Sequence, residues 1–320
     1  MQVLLHGKEI YLFFGKYGKN GIIGLIISQI LIGLIIYKVL KIARKSKLEN
    51  YSELTDYINQ NKKTNEILKK IINIFLLLSF YVMVAGFSAY FSQELGTPSI
   101  IGTIIIIILC YKIFMGNIEG IIKVNMILIP ILIGLIVILI GKNMDAYQNI
   151  GQKAIENNLL KSIYSGIIYS SYNSITLIPI LIPLKKYIKT DKQTKQIAII
   201  IVITLIIVAL AIYGLLLKVD IDINKIDLPT VYVAGMSGRI YKYIYGGIIL
   251  LAIFTSSISA GYSLLKNYEK DPKRYKKMAI ILVLSAIPVS KVGFTTLINL
   301  LYPIFGILGS VQIVKIFIFK

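Results

Sequence analysis

Residues 162–184 read S-I-Y-S-G-I-I-Y-S-S-Y-N-S-I-T-L-I-P-I-L-I-P-L, an apolar run with polar side chains at its centre. At about 1.5 Å of rise per residue, a helix of this length crosses the roughly 30 Å hydrocarbon core of a bilayer. Its central polar groups would lie near the midplane, where they need partners inside the protein or in a wet cavity. Gly166 precedes them and Pro179 and Pro183 follow, so we predict a helix that opens locally. The polar residues are Ser170, Ser171, Tyr172, Asn173 and Ser174.

The composition is that of an integral membrane protein. Hydrophobic residues make up 56% of the chain, the mean hydropathy is +0.77, and residues 101–109 and 127–140 form long apolar runs. A soluble domain has no room inside for so many apolar residues. The net charge of +20 does not indicate nucleic-acid binding, because the Lys and Arg residues cluster between the apolar runs, where membrane topology accounts for them. The expected partner is therefore a lipid bilayer.

Nine apolar stretches are predicted to span the membrane, which gives an all-α, polytopic fold. Lys and Arg are concentrated in the loops that fall on one side of this topology, and the positive-inside rule makes that side cytoplasmic. An odd number of spans then places the N-terminal segment outside and Lys320 inside. The predicted spans are 20–43, 70–93, 98–115, 119–141, 162–184, 196–217, 244–265, 277–290 and 293–315.

The chain offers little for metal binding or nucleophilic catalysis. Cys110 and His6 are the single cysteine and the single histidine, which excludes an internal disulfide and a Cys or His metal cluster. Asp220, Asp222 and Asp227 lack the glycine and terminal glutamate of a calcium loop, and we interpret them as a solvated face. The spans hold no paired aspartates and no nucleophile with a base, so we do not expect an enzyme. Repeated filter motifs that would indicate a channel are also missing.

Two further spans carry polar side chains near their midpoints. Thr255 and Ser256 belong to one of them, and Ser79 and Tyr81 to the other. Each serine or threonine hydroxyl has the alternative of bonding a carbonyl of its own helix. Their coincidence with the first polar centre favours a binding site, since hydroxyls and opened backbone carbonyls suit Na⁺ or a zwitterion. No charged residue is expected at mid-membrane, which argues against a carboxylate proton relay.

Residues 6–21, H-G-K-E-I-Y-L-F-F-G-K-Y-G-K-N-G, resemble the region after the first broken helix of the YkvI-like bacterial membrane proteins, a family of the amino acid, polyamine and organocation transporter superfamily. Y-N-S-I at 172–175 and A-I-F-T-S-S-I-S-A-G-Y at 252–262 are also similar to that family. The resemblance covers nearly the whole chain. In the first stretch the matching positions are Gly7, Glu9, Phe13, Phe14, Gly15 and Gly18.

The resemblance implies the fold of LeuT-type transporters, in which two inverted repeats of five helices hold a ligand between them. Residues 162–320 would form a full second repeat, and residues 1–161 an incomplete first repeat of four spans and a half-helix stub at 2–14. A complete member has an apolar half-helix and a small-residue break before the position of Met1. Either the start codon is assigned too late or the gene is truncated, or else the stub suffices in a natural variant.

By the same resemblance, residues 170–174 would line the substrate cavity and Asn173 would hydrogen-bond a solute. Thr255 and Ser256 would be sodium ligands, and Tyr81 would cover the substrate unless it only fills the bundle. We therefore expect a sodium symporter for an amino acid or similar small solute, working by alternating access in a bacterial plasma membrane with its C-terminus in the cytoplasm. The alternative is a truncated or non-transporting membrane component that keeps the fold but lacks a complete site. Beyond possible Na⁺ we expect no cofactor, and the sequence does not specify an oligomeric state.

Overall fold

The computed structural model describes residues 7–49, 51–58, 61–116, 119–142, 156–217, 226–268 and 271–318. Within these ranges every regular element is a helix. Short 3₁₀ helices follow α1 at Gly15–Tyr17 and α7 at Ile182–Tyr187. The α-helices are α1 (Lys8–Phe14), α2 (Lys19–Lys45), α3 (Tyr51–Ile58), α4 (Lys62–Leu95), α5 (Ser99–Phe114), α6 (Glu119–Lys142), α7 (Leu159–Leu181), α8 (Asp191–Leu217), α9 (Pro229–Met236), α10 (Arg239–Tyr268), α11 (Pro272–Ser290) and α12 (Phe294–Ile318).

Every predicted span coincides with one of these helices, so the all-α prediction is confirmed. Five of them, α2, α4, α8, α10 and α12, are long and apolar enough to cross a membrane. On α8, Ile200, Ile203 and Ile207 recur at helical spacing, and each exposes more than half of its surface. Such an apolar stripe is expected against lipid and unfavourable in water. The chain is a helical membrane protein, while the count of nine spans and the topology stay predictions.

The long helices pack as two groups with two helices between them. The first group is α1, α2, α7 and α8, in which α1 contacts the other three and α2 contacts both α7 and α8. The second group is α4, α5, α10 and α11, whose members all contact one another. Helix α6 touches α8 and α10, and α12 touches α7 and α4. The two connecting helices therefore join one group to the other.

Glycines let α7 approach its neighbours closely. A methyl group on Gly166 of α7 would overlap the carbonyl oxygen of Gly24 on α2, and one on Gly24 would overlap that of Ser162. On the other side, a methyl group on Gly309 of α12 would overlap the carbonyl oxygen of Ser171. Small residues allow this approach in lipid, where helix association depends on van der Waals packing. Helix α7 is thus held tightly between α2 and α12.

The predicted local opening of the helix around Asn173 is wrong. Helix α7 runs without interruption over Leu159–Leu181, includes Pro179, and changes to 3₁₀ geometry only from Ile182. The polar side chains bond carbonyls of their own helix: the amide nitrogen of Asn173 lies 2.9 Å from the oxygen of Tyr169, and the hydroxyl of Ser174 lies 2.6 Å from that of Ser170. Such bonds satisfy polar groups without opening the backbone.

The backbone is interrupted instead between α1 and α2. The 3₁₀ turn Gly15–Tyr17 is followed by Gly18, whose φ of 52° only glycine adopts readily. Side chains from the first helix group bond the carbonyls released there. Ser165 of α7 donates its hydroxyl to the oxygen of Phe13 at 2.7 Å, and Tyr213 of α8 donates to that of Gly18 at 2.7 Å. These contacts fix the position of α1.

Some sequence predictions concern residues that the structure does not describe. His6, Asp220, Asp222 and Lys320 lie outside the described ranges, as do residues 2–6 of the predicted stub. Asp227 is described, and its carboxylate accepts a hydrogen bond from the hydroxyl of Thr295 at 2.6 Å. It therefore helps to fix the segment before α9 on α12.

Candidate functional site

A cavity of about 440 Å³ lies between the two helix groups. Its wall is built by α2, α7 and α8 of the first group, α4 and α10 of the second, and the connecting helix α12. Most of the lining is aliphatic or aromatic, and the described residues contribute no charged side chain to it. The polar lining comprises the amides of Gln29 and Asn173, the hydroxyls of Ser79, Thr204, Ser256, Ser259 and Ser263, and three tyrosines, Tyr169, Tyr172 and Tyr302.

The cavity brings together three of the residues that the sequence assigns to the site, and Ser79, which the sequence analysis named for its mid-span position, lines it as well. Tyr172 and Asn173 on α7 and Ser256 on α10 line it. The others face elsewhere: Ser170, Ser171, Ser174 and Thr255 are buried without lining the cavity, and Tyr81 also lies outside its wall.

Tyr81 and Thr255, predicted to cover the substrate and to bind sodium, form their hydrogen bonds away from the cavity wall. The Tyr81 hydroxyl lies 2.8 Å from that of Ser285 on α11, within the second helix group. Thr255 donates its hydroxyl to the oxygen of Ala252 at 3.1 Å, and Ser256 donates to the same oxygen at 2.8 Å. A hydroxyl that donates still has oxygen lone pairs, so Ser256 keeps the capacity to bind a cation or a solute from the cavity wall.

Sequence reasoning missed Ser259 and Ser263, which also line the cavity. They follow Ser256 by three and seven residues and therefore lie on the same face of α10. Helical spacing of hydroxyls along one span was the signal that could have identified them.

Two stacked tyrosines form part of the cavity wall. The rings of Tyr172 on α7 and Tyr302 on α12 lie with centroids 4.2 Å apart and an angle of 28° between their planes. Phe75 of α4 packs edge-on to Phe305, with centroids 4.4 Å apart, and borders Tyr172 at 6.0 Å. Helices from both groups and the connecting helix therefore meet at this aromatic wall.

Behind the tyrosines lies an acidic residue that the sequence analysis did not expect at this depth. Glu9 of α1 is 0% exposed, and the Tyr172 hydroxyl donates to its Oε1 at 3.1 Å. The Tyr302 side chain, whose ring stacks on Tyr172, lies near the same carboxyl group. Because Tyr172 lies near the middle of α7, Glu9 lies near the middle of the helix bundle. A carboxyl group is therefore buried inside the bundle, whereas the sequence predicted no charged residue at mid-membrane depth.

The position of Glu9 depends on the tight start of α1. Gly7 has a φ of 75°, and a methyl group there would lie 2.6 Å from the Thr230 methyl carbon on α9. Lys8 is also buried, and its ammonium group donates to the carbonyl oxygen of Ile226 at 2.6 Å. The two consecutive side chains thus contact different parts of the molecule, Lys8 the segment before α9 and Glu9 the tyrosines of α7 and α12.

Glu156 fastens the loop before α7 to the turn between α1 and α2. Its backbone amide donates to the carbonyl oxygen of Lys16 at 3.0 Å, and its carboxylate forms ion pairs with Lys161 and, at 3.6 Å, with Lys16. The hydrogen bond from Lys161 lowers the pKa of Glu156, so this partly exposed carboxylate is charged at neutral pH. The loop thereby supports the placement of α1.

Comparison with known proteins gives relatives of similar length. No protein-family model matches the chain. It is 28% identical over 307 residues to the "Uncharacterized membrane protein YkvI" of Bacillus subtilis strain 168, and the aligned region covers 94% of this chain and 86% of that protein. It is 24% identical over 317 residues to the "Uncharacterized protein YyaD" of the same organism, and the aligned region covers 98% of this chain and 91% of that protein. The chain is a helical membrane protein homologous to YkvI.

Proposed function

We propose that this chain is a secondary-transporter-like carrier that moves an amino acid or a similar small solute across the membrane by alternating access. The observation that carries the proposal is the cavity of about 440 Å³ between the two helix groups. Ligand sites of roughly 300–1,000 Å³, mostly apolar with a few convergent polar groups, are typical of small-molecule binding. In the cycle the first helix group would rock against the second and expose the cavity to each side in turn.

The contacts between helices support the inverted-repeat fold of LeuT-type transporters. In that fold α1, α2, α4 and α5 of the first repeat correspond to α7, α8, α10 and α11 of the second. Each of these helices contacts its own counterpart, as helices on either side of a common pseudo-symmetry axis do. The connecting helices α6 and α12 would likewise be counterparts, and each touches both groups.

The cavity lining favours a neutral or zwitterionic solute with an apolar part. Uncharged amides and hydroxyls supply hydrogen bonds, while aliphatic and aromatic side chains cover the rest of the surface. A solute with a net charge would have to give up its hydration without an opposite side-chain charge in the described wall. Sodium stays the proposed coupling ion for the Ser256 region, since neutral oxygens are suitable ligands for it.

Uptake into vesicles tests this proposal. The purified protein is reconstituted in proteoliposomes and supplied with labelled leucine, alanine, glutamate or lysine. We expect uptake of the neutral amino acids only, and loss of that uptake in Asn173→Ala. Ser310→Ala is the matched control, because Ser310 bonds its own helix at a partly exposed position of α12 outside the cavity wall. Uptake by Asn173→Ala equal to that of the control would contradict the proposed site.

A second candidate is a non-transporting membrane component that keeps the fold. The continuous α7 favours it, since residues 159–181 offer no opened carbonyls with which to grip a solute. Under this alternative no amino acid is taken up by the wild-type protein, even though it is folded and inserted. The same vesicle experiment therefore separates the two functions.

A further inference from the structure

We propose that Glu9 is a proton-binding site, which takes up and releases one proton in each transport cycle and couples the solute to a proton gradient in addition to the sodium proposed for the Ser256 region. This inference rests on the proposed transport function. It follows from the position of the carboxyl group, which is fully buried at mid-bundle directly behind the wall of the cavity.

Burial makes the protonation of this group sensitive to its surroundings. A carboxylate loses its hydration when it is enclosed in a membrane protein, so the neutral form is favoured in a dry site and the charged form in a wet one. Ionisable residues inside membrane helices often mark proton pathways for this reason. Opening and closing of the cavity would change the water around Glu9 and thereby its proton affinity.

The groups around Glu9 link it to the cavity. Tyr172 of α7 donates to the carboxyl group, Tyr302 of α12 is its second hydroxyl neighbour, and Tyr169 of α7 is a third nearby phenol. All three tyrosines also line the cavity. Lys8 points its ammonium group to Ile226. A solute that enters the cavity therefore touches Tyr172, which hydrogen-bonds Glu9, and the two other phenols beside it.

The contacts of Glu9 join the first helix group, which would move in the transport cycle, to the connecting helix α12. Glu9 and Tyr172 belong to the first helix group, whereas Tyr302 belongs to the connecting helix α12, which also touches the second group. A rocking of the first group would change the distance between Glu9 and Tyr302. Such a difference between two conformations is the condition for a proton to bias their equilibrium.

Proton and solute are expected to move in the same direction. A neutral Glu9 and a filled cavity both favour the closed, dry state. The proton and the solute therefore stabilise the same conformation, and binding of one strengthens binding of the other. On the uptake side, a proton from water forms the carboxyl O–H bond as the solute enters. On the opposite side that bond breaks, the proton passes to water, and the solute leaves.

Two measurements on the reconstituted full chain test the proposal. Infrared spectroscopy follows the carbonyl band of a protonated carboxylic acid while the pH rises from about 5 to about 9, the range in which buried carboxyl groups titrate. Vesicle uptake is measured with an inward gradient of about one pH unit, which supports up to about tenfold accumulation for one proton per solute. The variants are Glu9→Gln and, as matched control, Glu66→Gln, because Glu66 is a highly exposed carboxylate on α4.

We expect wild type and Glu66→Gln to show the titrating band and gradient-driven accumulation. Glu9→Gln should lack that band and lose the roughly tenfold accumulation, while still exchanging solute across the membrane. Accumulation by Glu9→Gln equal to that of wild type would overturn the proposal, as would a wild-type spectrum without a titrating band. If no variant transports any solute, the proposed function fails. The infrared titration of the wild-type protein then still decides whether the buried carboxyl group exchanges a proton.

Discussion

Replacement of Gly166 by alanine tests the tight packing of α2 against α7. The added Cβ would overlap the carbonyl oxygen of Gly24 and lie 3.2 Å from its carbonyl carbon. Nonbonded carbon atoms are normally about 3.5–4.0 Å apart. The carbonyl oxygen is the tighter contact of the added Cβ, so the two helices would have to separate by at least about 0.6 Å to bring that distance to about 3.0 Å.

The size of the effect follows from two opposing contributions. Alanine stabilises a helix interior relative to glycine by about 1 kcal/mol, and overpacking costs about 1–3 kcal/mol. Gly247→Ala is the matched control, since Gly247 lies within α10 and an added Cβ there meets no atom within 4 Å. The helix contribution cancels between the two variants, so Gly166→Ala should be less stable than Gly247→Ala by about 1–3 kcal/mol.

Reversible unfolding in mixed detergent micelles, followed by the loss of helical circular dichroism, measures this difference. Both variants are compared with wild type at the same lipid and detergent composition. Equal free energies of unfolding for the two variants would refute the close approach of α2 and α7. That result would favour the sequence-based interpretation of Gly166 as part of a helix that opens.

Three further substitutions follow from individual contacts. Ser256 lines the cavity, so Ser256→Ala should reduce the sodium dependence of uptake. Ser257→Ala is the control and should leave it unchanged, since Ser257 is buried outside the cavity wall. Equal sodium dependence of uptake in the two variants would contradict sodium binding at Ser256. Ser165→Ala removes the hydroxyl bonded to the last turn of α1, so we expect a loss of about 1 kcal/mol in unfolding free energy. Gln312→Leu leaves the buried hydroxyl of Tyr51 without its amide neighbour and should cost about 1–3 kcal/mol, measured by the same unfolding assay.

The helices were predictable from the sequence because hydropathy acts locally. Runs of Ile and Leu longer than a bilayer is thick have few alternatives to a helix in lipid, since every backbone group must be bonded within its own segment. All the predicted spans accordingly coincide with helices. The continuity of the helix at Asn173 was not predictable in the same way, because glycine, serine and proline occur both in opened helices and in continuous ones. Gly166 provides close packing, and the serines bond carbonyls of their own helix.

The buried acid escaped prediction because its burial depends on distant parts of the chain. Glu9 meets Tyr172, which is 163 residues away in sequence, and Tyr302, which is farther still. Its local surroundings, with Gly7 and Lys8 before it, are typical of an exposed helix start. Glu9 matches the YkvI-like stretch, which singled out the residue, but that match does not show whether its side chain is buried in the bundle. Only the packing of α1 against α7 and α12 reveals where the carboxyl group lies.

The polar groups of the bundle differ in what a conformational change would do to them. Those that bond their own helix, such as Ser170 and Ser174, keep their partners however the helices move as rigid bodies, so they favour neither state. Those that bond across helices, such as Glu9 to Tyr172, gain or lose a partner when the helices shift. A ligand or proton can select a conformation only through a difference of this second kind. Function in this protein is therefore expected in the contacts between α1, α7 and α12, more than in the serine-rich centre of α7 itself.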